Sequence, residues 1–121
     1  MQVKEIMTPQ VELIRPEATL QEAAKKMQER KIGVLPVCDG DRVVGMLSDK
    51  DVNIRTVGDD PTQTKVQDAM LSDVVYCFED TEVEEAAKLM QEKQLRRLVV
   101  LNREKRLAGI VSLADLAGRY K

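Results

Sequence analysis

The sequence predicts an α+β (α/β) fold in which two pseudo-symmetric β-α-β-β-α repeats pack through their sheets into one compact module. Three observations predict it. Leu20-Gln-Glu-Ala-Ala-Lys-Lys-Met27 returns as Val83-Glu-Glu-Ala-Ala-Lys-Leu-Met90, and Gly45-Met-Leu-Ser48-Asp-Lys-Asp51 returns as Gly109-Ile-Val-Ser112-Leu-Ala-Asp115. The offsets are 90 − 27 = 63 and 109 − 45 = 64, so one residue is inserted between the two motifs, in the polar turn at residues 102–106. Loops absorb such insertions. The chain has 121 residues, enough for one core, whereas a half of about 60 residues would be marginal alone. The repeats are therefore expected at 1–60, with its lead segment, and 61–121, as parts of one module.

Each half reads in the same order. A lead segment carries a methionine (residues 3–7 and 66–70), and a short extended run follows (11–14 and 74–78). Next comes an amphipathic helix. Leu20, Ala23, Ala24 and Met27 recur at helical spacing, as do Val83, Ala86, Ala87 and Met90, with charged residues between them. Residues 34–38 and 98–101 read as strands, followed by the turn Asp39-Gly40-Asp41 in the first half and a longer polar turn in the second. Residues 43–47 and 107–111 read as the next strands, and residues 49–56 and 113–119 as closing helices. Residues 57–63 carry Gly58, Asp59, Asp60 and Pro61 and read as the linker. Pro36 signals an edge or irregularity in its strand, and its counterpart is Val99.

Composition narrows the function. Hydrophobic residues make up 43% and charged residues 33%, which is globular rather than disordered. Only Tyr76, Phe78 and Tyr120 are aromatic, so the core is aliphatic and few rings could stack on bases. A net charge of −2 offers no general attraction for a phosphate backbone, and nucleic acid is not expected as a partner. No stretch is apolar enough to span a membrane. The first residues lack the apolar region of a signal peptide, which points to the cytoplasm. Cys38 and Cys77 lie far apart, belong to no C-x-x-C pair, and are accompanied by no histidine, so no zinc site is expected. They read as small hydrophobes. No nucleophile–base pair or phosphate-binding loop appears, so the chain is not expected to be an enzyme.

The Gly-x-x-Ser-x-x-Asp pattern carries the candidate chemistry. Gly45 and Gly109 allow close backbone approach. Ser48 and Ser112 sit where a helix begins, and Asp51 and Asp115 lie in its first turn. A serine hydroxyl can bond phosphate or ribose, and a carboxylate can accept from ribose hydroxyls. Ser-x-x-Asp is also the pattern of a capping box, which satisfies free helix amides without a ligand.

The repeat, the Ala-Ala-Lys-x-Met helix, the Ile32-Gly-Val-Leu-Pro-Val37 strand and the Gly-x-x-Ser-x-x-Asp ending resemble a CBS-domain pair, or Bateman module, over essentially the whole chain. The resemblance implies a regulatory module that requires no cofactor and binds AMP, ADP, ATP, S-adenosylmethionine or, less often, NAD. It implies ribose and phosphate contacts from Gly45, Ser48, Asp51, Gly109, Ser112 and Asp115, with help from Lys50. Adenine would lie in an apolar slot supplied by the opposite repeat: Cys77, Phe78, Leu95 and Leu98 for the first motif, and Ile14, Arg15, Ile32, Gly33, Val34 and Pro36 for the second. Arg96 and Arg97 fall where the family often places a basic phosphate-binding pair. The crossing assigns them to the Asp51 site, which is therefore expected to bind phosphorylated ligand better. The resemblance also implies a homodimer acting on a separate and unidentified protein; Leu113, Leu116 and Ala117 are candidates for its contacts and equally for internal core. The competing expectation is a dimerisation or interaction module without a ligand.

Overall fold

The protein is described here from a computed structural model, which covers residues 1–9 and 12–119, the side chains of Thr56 and of residues 117–119 apart. Val11, in the first expected extended run, and Tyr120 lie outside the described residues, as does the side chain of Ala117. Along the chain the elements are β1 (Thr8–Pro9), α1 (Leu20–Arg30), β2 (Val34–Asp39), β3 (Arg42–Ser48), α2 (Asp49–Gly58), α3 (Val66–Ala69), β4 (Tyr76–Phe78), α4 (Val83–Lys93), β5 (Arg97–Leu101), β6 (Leu107–Ser112) and α5 (Leu113–Arg119). A 3-10 turn at Val3–Glu5 precedes β1. The elements divide into two units. The central unit is Glu12–Val74, and the terminal unit joins the start of the chain to Val75 and beyond.

The partition places each lead segment with the half it does not precede. In the terminal unit Val3 N–H donates to Thr81 O at 2.8 Å, Lys4 N–H to Glu79 O at 2.9 Å, and Val83 N–H to Met1 O at 2.9 Å. In the central unit Val66 N–H donates to Ala18 O at 2.8 Å, Gln67 N–H to Pro16 O at 3.0 Å, and Leu20 N–H to Thr64 O at 2.9 Å. Each partner in the second set differs from its counterpart by 63 (66 − 3, 81 − 18, 83 − 20). The first lead segment therefore completes the second repeat, and the second completes the first. Val3 and Val66 are both wholly buried.

The terminal unit has the full β-α-β-β-α order on a four-stranded sheet, β1-β6-β5-β4. The central unit has the antiparallel pair β2–β3, and among the described residues its expected opening strand shrinks to one bridge between Ile14 and Val37. Two prolines account for this. Glu79 N–H donates to Leu101 O at 2.9 Å, extending the β4 side of the ladder, and the residue 63 positions earlier is Pro16, which has no N–H. Pro36 O accepts from Ile14 N–H at 3.0 Å, so the missing Pro36 N–H faces the same side and removes the preceding rung. The β2–β3 loop is Gly40-Asp41, with Gly40 at φ +65°, as a two-residue hairpin requires.

Helices α1 and α4 present narrower apolar stripes than the spacing suggests. Leu20, Ala23 and Met27 are buried on α1 while Ala24 is exposed, and Val83, Ala86 and Met90 are buried on α4 while Ala87 is half-buried. Thr19 Oγ1 accepts from Glu22 N–H and starts α1. These stripes pack on one face of each sheet. Leu35, Val37, Leu47 and Val52 join the α1 residues in the central core, and Leu98, Val100, Val111 and Leu116 join the α4 residues in the terminal core. Helix α2 runs to Gly58, two residues into the segment read as linker.

Both helices end on a left-handed residue that is not glycine, Lys31 at φ 56° and Gln94 at φ 55°. A side chain in this region costs about 1 kcal/mol that glycine avoids. Lys31→Gly and Gln94→Gly are each expected to stabilise the protein by up to about 0.5 kcal/mol, net of the extra unfolded-state entropy of glycine. Urea unfolding reads this as a higher midpoint, and an unchanged or lower midpoint would contradict it.

Candidate functional site

The two Ser-x-x-Asp motifs fold into matching capping boxes. In the central unit Ser48 N–H donates to Asp51 Oδ2 at 3.1 Å, the Ser48 hydroxyl donates to the same oxygen at 2.9 Å, and Asp51 N–H donates to Ser48 Oγ at 3.2 Å. In the terminal unit Ser112 N–H donates to Asp115 Oδ2 at 2.8 Å, and Asp115 N–H donates to Ser112 Oγ at 3.1 Å. Every bond to the carboxylates goes to Oδ2. Among the described residues nothing bonds Oδ1 of Asp51 or Asp115. All four side chains are half-buried, so each box holds a carboxylate in one orientation with an oxygen available as an acceptor.

What approaches the two motif glycines is the chain's own lead segment. A Cβ on Gly45 would sit 2.5 Å from Met70 Sδ and 2.9 Å from Leu71 O, and one on Gly109 would sit 2.5 Å from Thr8 O and 3.0 Å from Met7 Sδ. Leu71 and Met46 exchange backbone hydrogen bonds across this contact, and β1 pairs with β6 at the equivalent place. The lead methionines thus cover the glycines.

Each box faces the strand start of its own unit. Ser48 is the register partner of Val34, and Gly33 O accepts from Asp49 N–H at 2.9 Å. Ser112 is the register partner of Arg97, and Arg96 O accepts from Leu113 N–H at 2.8 Å. The sequence reading gave Arg96 and Arg97 to Asp51; within one unit their neighbours are Ser112 and Asp115. Both arginines and Lys50 are exposed, and among the described residues no carboxylate pairs with any of the three.

The residues expected around adenine are divided by burial. Ile14, Cys77 and Leu98 belong to the cores beneath the helices. Pro36 is buried, Ile32, Gly33, Val34, Leu95 and Phe78 are half-buried, and Arg15 is exposed. Leu116, a candidate dimer contact, is also core at 2% exposure, whereas Leu113 is 50% exposed. An open groove lies beside the opening segment and first helix of each unit, about 690 Å³ along Ile14, Ala18 and Lys25 and about 380 Å³ along Cys77, Thr81 and Lys88. Neither groove includes a box residue.

One cluster escaped sequence reading. The Arg103 guanidinium lies 4.3 Å from the Phe78 ring centroid, donates from Nε to Asp80 Oδ2 at 2.9 Å, and forms an ion pair with the same carboxylate, Nη2 to Oδ1, at 2.8 Å. Its hydrogen bond to Asp80 holds that carboxyl below the usual range. Tyr76 meets Phe78 edge-on at 5.7 Å. The only signal in the sequence was the inserted turn that carries Arg103. Burial pushes the Cys38 and Cys77 thiols up to about 11, which leaves them protonated and unreactive near neutral pH. Among the described residues no group of three or more His, Cys, Asp or Glu is placed to hold a metal ion, and no helix is long and apolar enough to cross a membrane.

The CBS domain matches the chain twice, over residues 3–54 and 66–121. The chain belongs to the CBS-domain family. The CBS domain-containing protein YhcV of Bacillus subtilis is 38% identical over 116 residues, covering 95% of this chain and 82% of YhcV. Among solved structures, Hypoxic Response Protein I with two coordinated zinc ions matches at a TM-score of 0.86 and 34% identity, covering 98% of both chains. CBSX2 in complex with AMP, a protein of Arabidopsis thaliana, matches at 0.82 and 27%, covering 98% of this chain and 94% of that one. This CBS pair, with its α+β repeats, shares the fold of stand-alone CBS-pair proteins.

Proposed function

We propose that this CBS pair is a regulatory module that binds an adenosine-containing ligand, AMP, ADP, ATP or S-adenosylmethionine, and thereby modulates a separate protein. The observation that carries the reading is the pair of boxes, each holding a carboxylate by one oxygen and leaving Oδ1 open to a ribose hydroxyl. The AMP complex of CBSX2 supports the ligand class. Half-buried Ile32, Val34, Leu95 and Phe78 are apolar surface of the kind a purine needs. Regulation then requires only that the ligand bind one state of the module, or of its homodimer, more tightly than another.

A second reading, an interaction module without a ligand, is favoured by two observations. The boxes are satisfied without any ligand, and Ile54 and Val57 stand 70% and 89% exposed on α2. Isothermal titration calorimetry of nucleotide-stripped protein with AMP, ATP and S-adenosylmethionine separates the two. Saturable binding is expected, weakened about tenfold or more by Asp51→Asn or Asp115→Asn, which lose charge but keep an acceptor oxygen for the box. No heat with any of the three ligands would transfer the conclusion to the interaction module.

A further inference from the structure

We infer that the two motifs differ in charge preference. The Ser112–Asp115 motif takes a 5′-phosphorylated adenosyl ligand, and the Ser48–Asp51 motif takes an adenosyl ligand that is uncharged or cationic at the same end. This rests on the adenosyl-binding reading and assigns a ligand class to each motif.

The two repeats, aligned residue by residue, differ where each strand begins. Register partners on an antiparallel ladder share a face, with Cβ atoms about 5 Å apart. Arg97 and Ser112 are such a pair, on the Val99 and Ile110 face, opposite the helical core. An arginine in that place spans a phosphate lying beside the Ser112 hydroxyl, with its planar fork of donors matched to phosphate oxygens. The pair in the central unit is Val34 and Ser48, which supplies no cation. Arg96 is replaced there by Gly33, which carries no charge, and the nearest side-chain atom to where a Cβ would stand is Asp49 Oδ2, at an ordinary contact distance of 3.5 Å.

The charges therefore invert. Over the two strand-start residues and the first helical turn, the terminal unit carries Arg96, Arg97 and Asp115, a balance of +1. The central unit carries Asp49, Asp51 and Lys50, a balance of −1. Lys50 stands exposed between Asp49 and Asp51 in sequence, one cation against two carboxylates. A phosphate dianion is attracted at one motif and repelled at the other, and the difference shrinks as salt screens it. Phosphate preference thus moves from the Asp51 motif, where the sequence reading put it, to the Asp115 motif.

The test is calorimetric titration of the nucleotide-stripped full chain with AMP and with adenosine, using Asp51→Asn to isolate the second motif and Asp115→Asn to isolate the first. With Asp51→Asn, AMP is expected to bind about tenfold or more tightly than adenosine. Adding Arg97→Ala should bring that ratio near one, and raising the salt concentration should move it the same way. With Asp115→Asn, adenosine is expected to bind at least as well as AMP, and adding Asp49→Asn should recover AMP affinity. Melting curves establish that each variant is folded, and salt dependence of AMP binding by the unaltered chain supplies a reading free of substitutions. Equal AMP-to-adenosine ratios at the two motifs, or the opposite order, would overturn the inference while leaving adenosyl binding intact. If the unaltered chain binds neither compound, adenosyl binding itself fails and the inference falls with it.

Discussion

Val3→Asp is expected to leave the terminal unit unfolded. Val3 is wholly buried and packs in the same apolar cluster as Cys77, Val83, Ala86, Met90 and Leu98, residues more than seventy positions away in sequence. A carboxylate there would be buried among apolar side chains, at a cost of more than about 4 kcal/mol. Total stabilities of about 5–15 kcal/mol leave little to absorb such a loss. Lys4→Asp on the same turn is exposed and should change stability by no more than about 0.5 kcal/mol. Urea unfolding followed by circular dichroism compares the two. Wild-type stability in Val3→Asp would mean that the lead segment is not part of the core it contacts.

Gly109→Ala should be nearly as severe, at about 3 kcal/mol. Its Cβ would stand 2.5 Å from a backbone carbonyl, Thr8 O, which can retreat only if β1 leaves the edge of β6. Gly45→Ala meets Met70 Sδ first, the flexible end of a side chain, with Leu71 O at 2.9 Å, so it should cost less. Gly58→Ala meets nothing within 4 Å, sits in the last turn of α2, and should be neutral or slightly stabilising. The order of the three melting temperatures tests the set. Equal effects at positions 109 and 58 would remove the contact with the lead segment as the reason for the glycine.

The repeat and the amphipathic stripes made most of this fold legible from residues alone. Leu20, Met27, Val83 and Met90 lie where a helical period places core, and Ser48 and Ser112 begin helices as their pattern implies. What stayed hidden has a common cause: the two halves are too alike to say which copy a segment completes. The lead segments share Val and Met at matching positions, so periodicity is satisfied equally by packing each on its own half or on the other. The truncated opening strand was half visible. Pro36 marked an irregularity, but its consequence depended on Pro16, which only the ladder brings into line with Glu79 of the other copy. The neighbours of Arg96 and Arg97 within their own unit were not legible for the related reason that register, unlike spacing, is not written in one strand. The family resemblance supplied the motif residues, and the strand pairing supplied the residues beside them.

The exchange of lead segments has a consequence for the order in which the protein comes into being. A chain is synthesised from its N-terminus, yet residues 1–9 belong to the unit that ends with α5. The central unit, Glu12–Val74, has all its parts once Val74 has left the ribosome. Residues 1–9 must wait, with Val3 still in water, until Leu98, Val111 and Leu116 have emerged to receive it. A segment made before the whole central unit thus finds its place only after that unit is complete, and the interval grows with any pause in translating the second half.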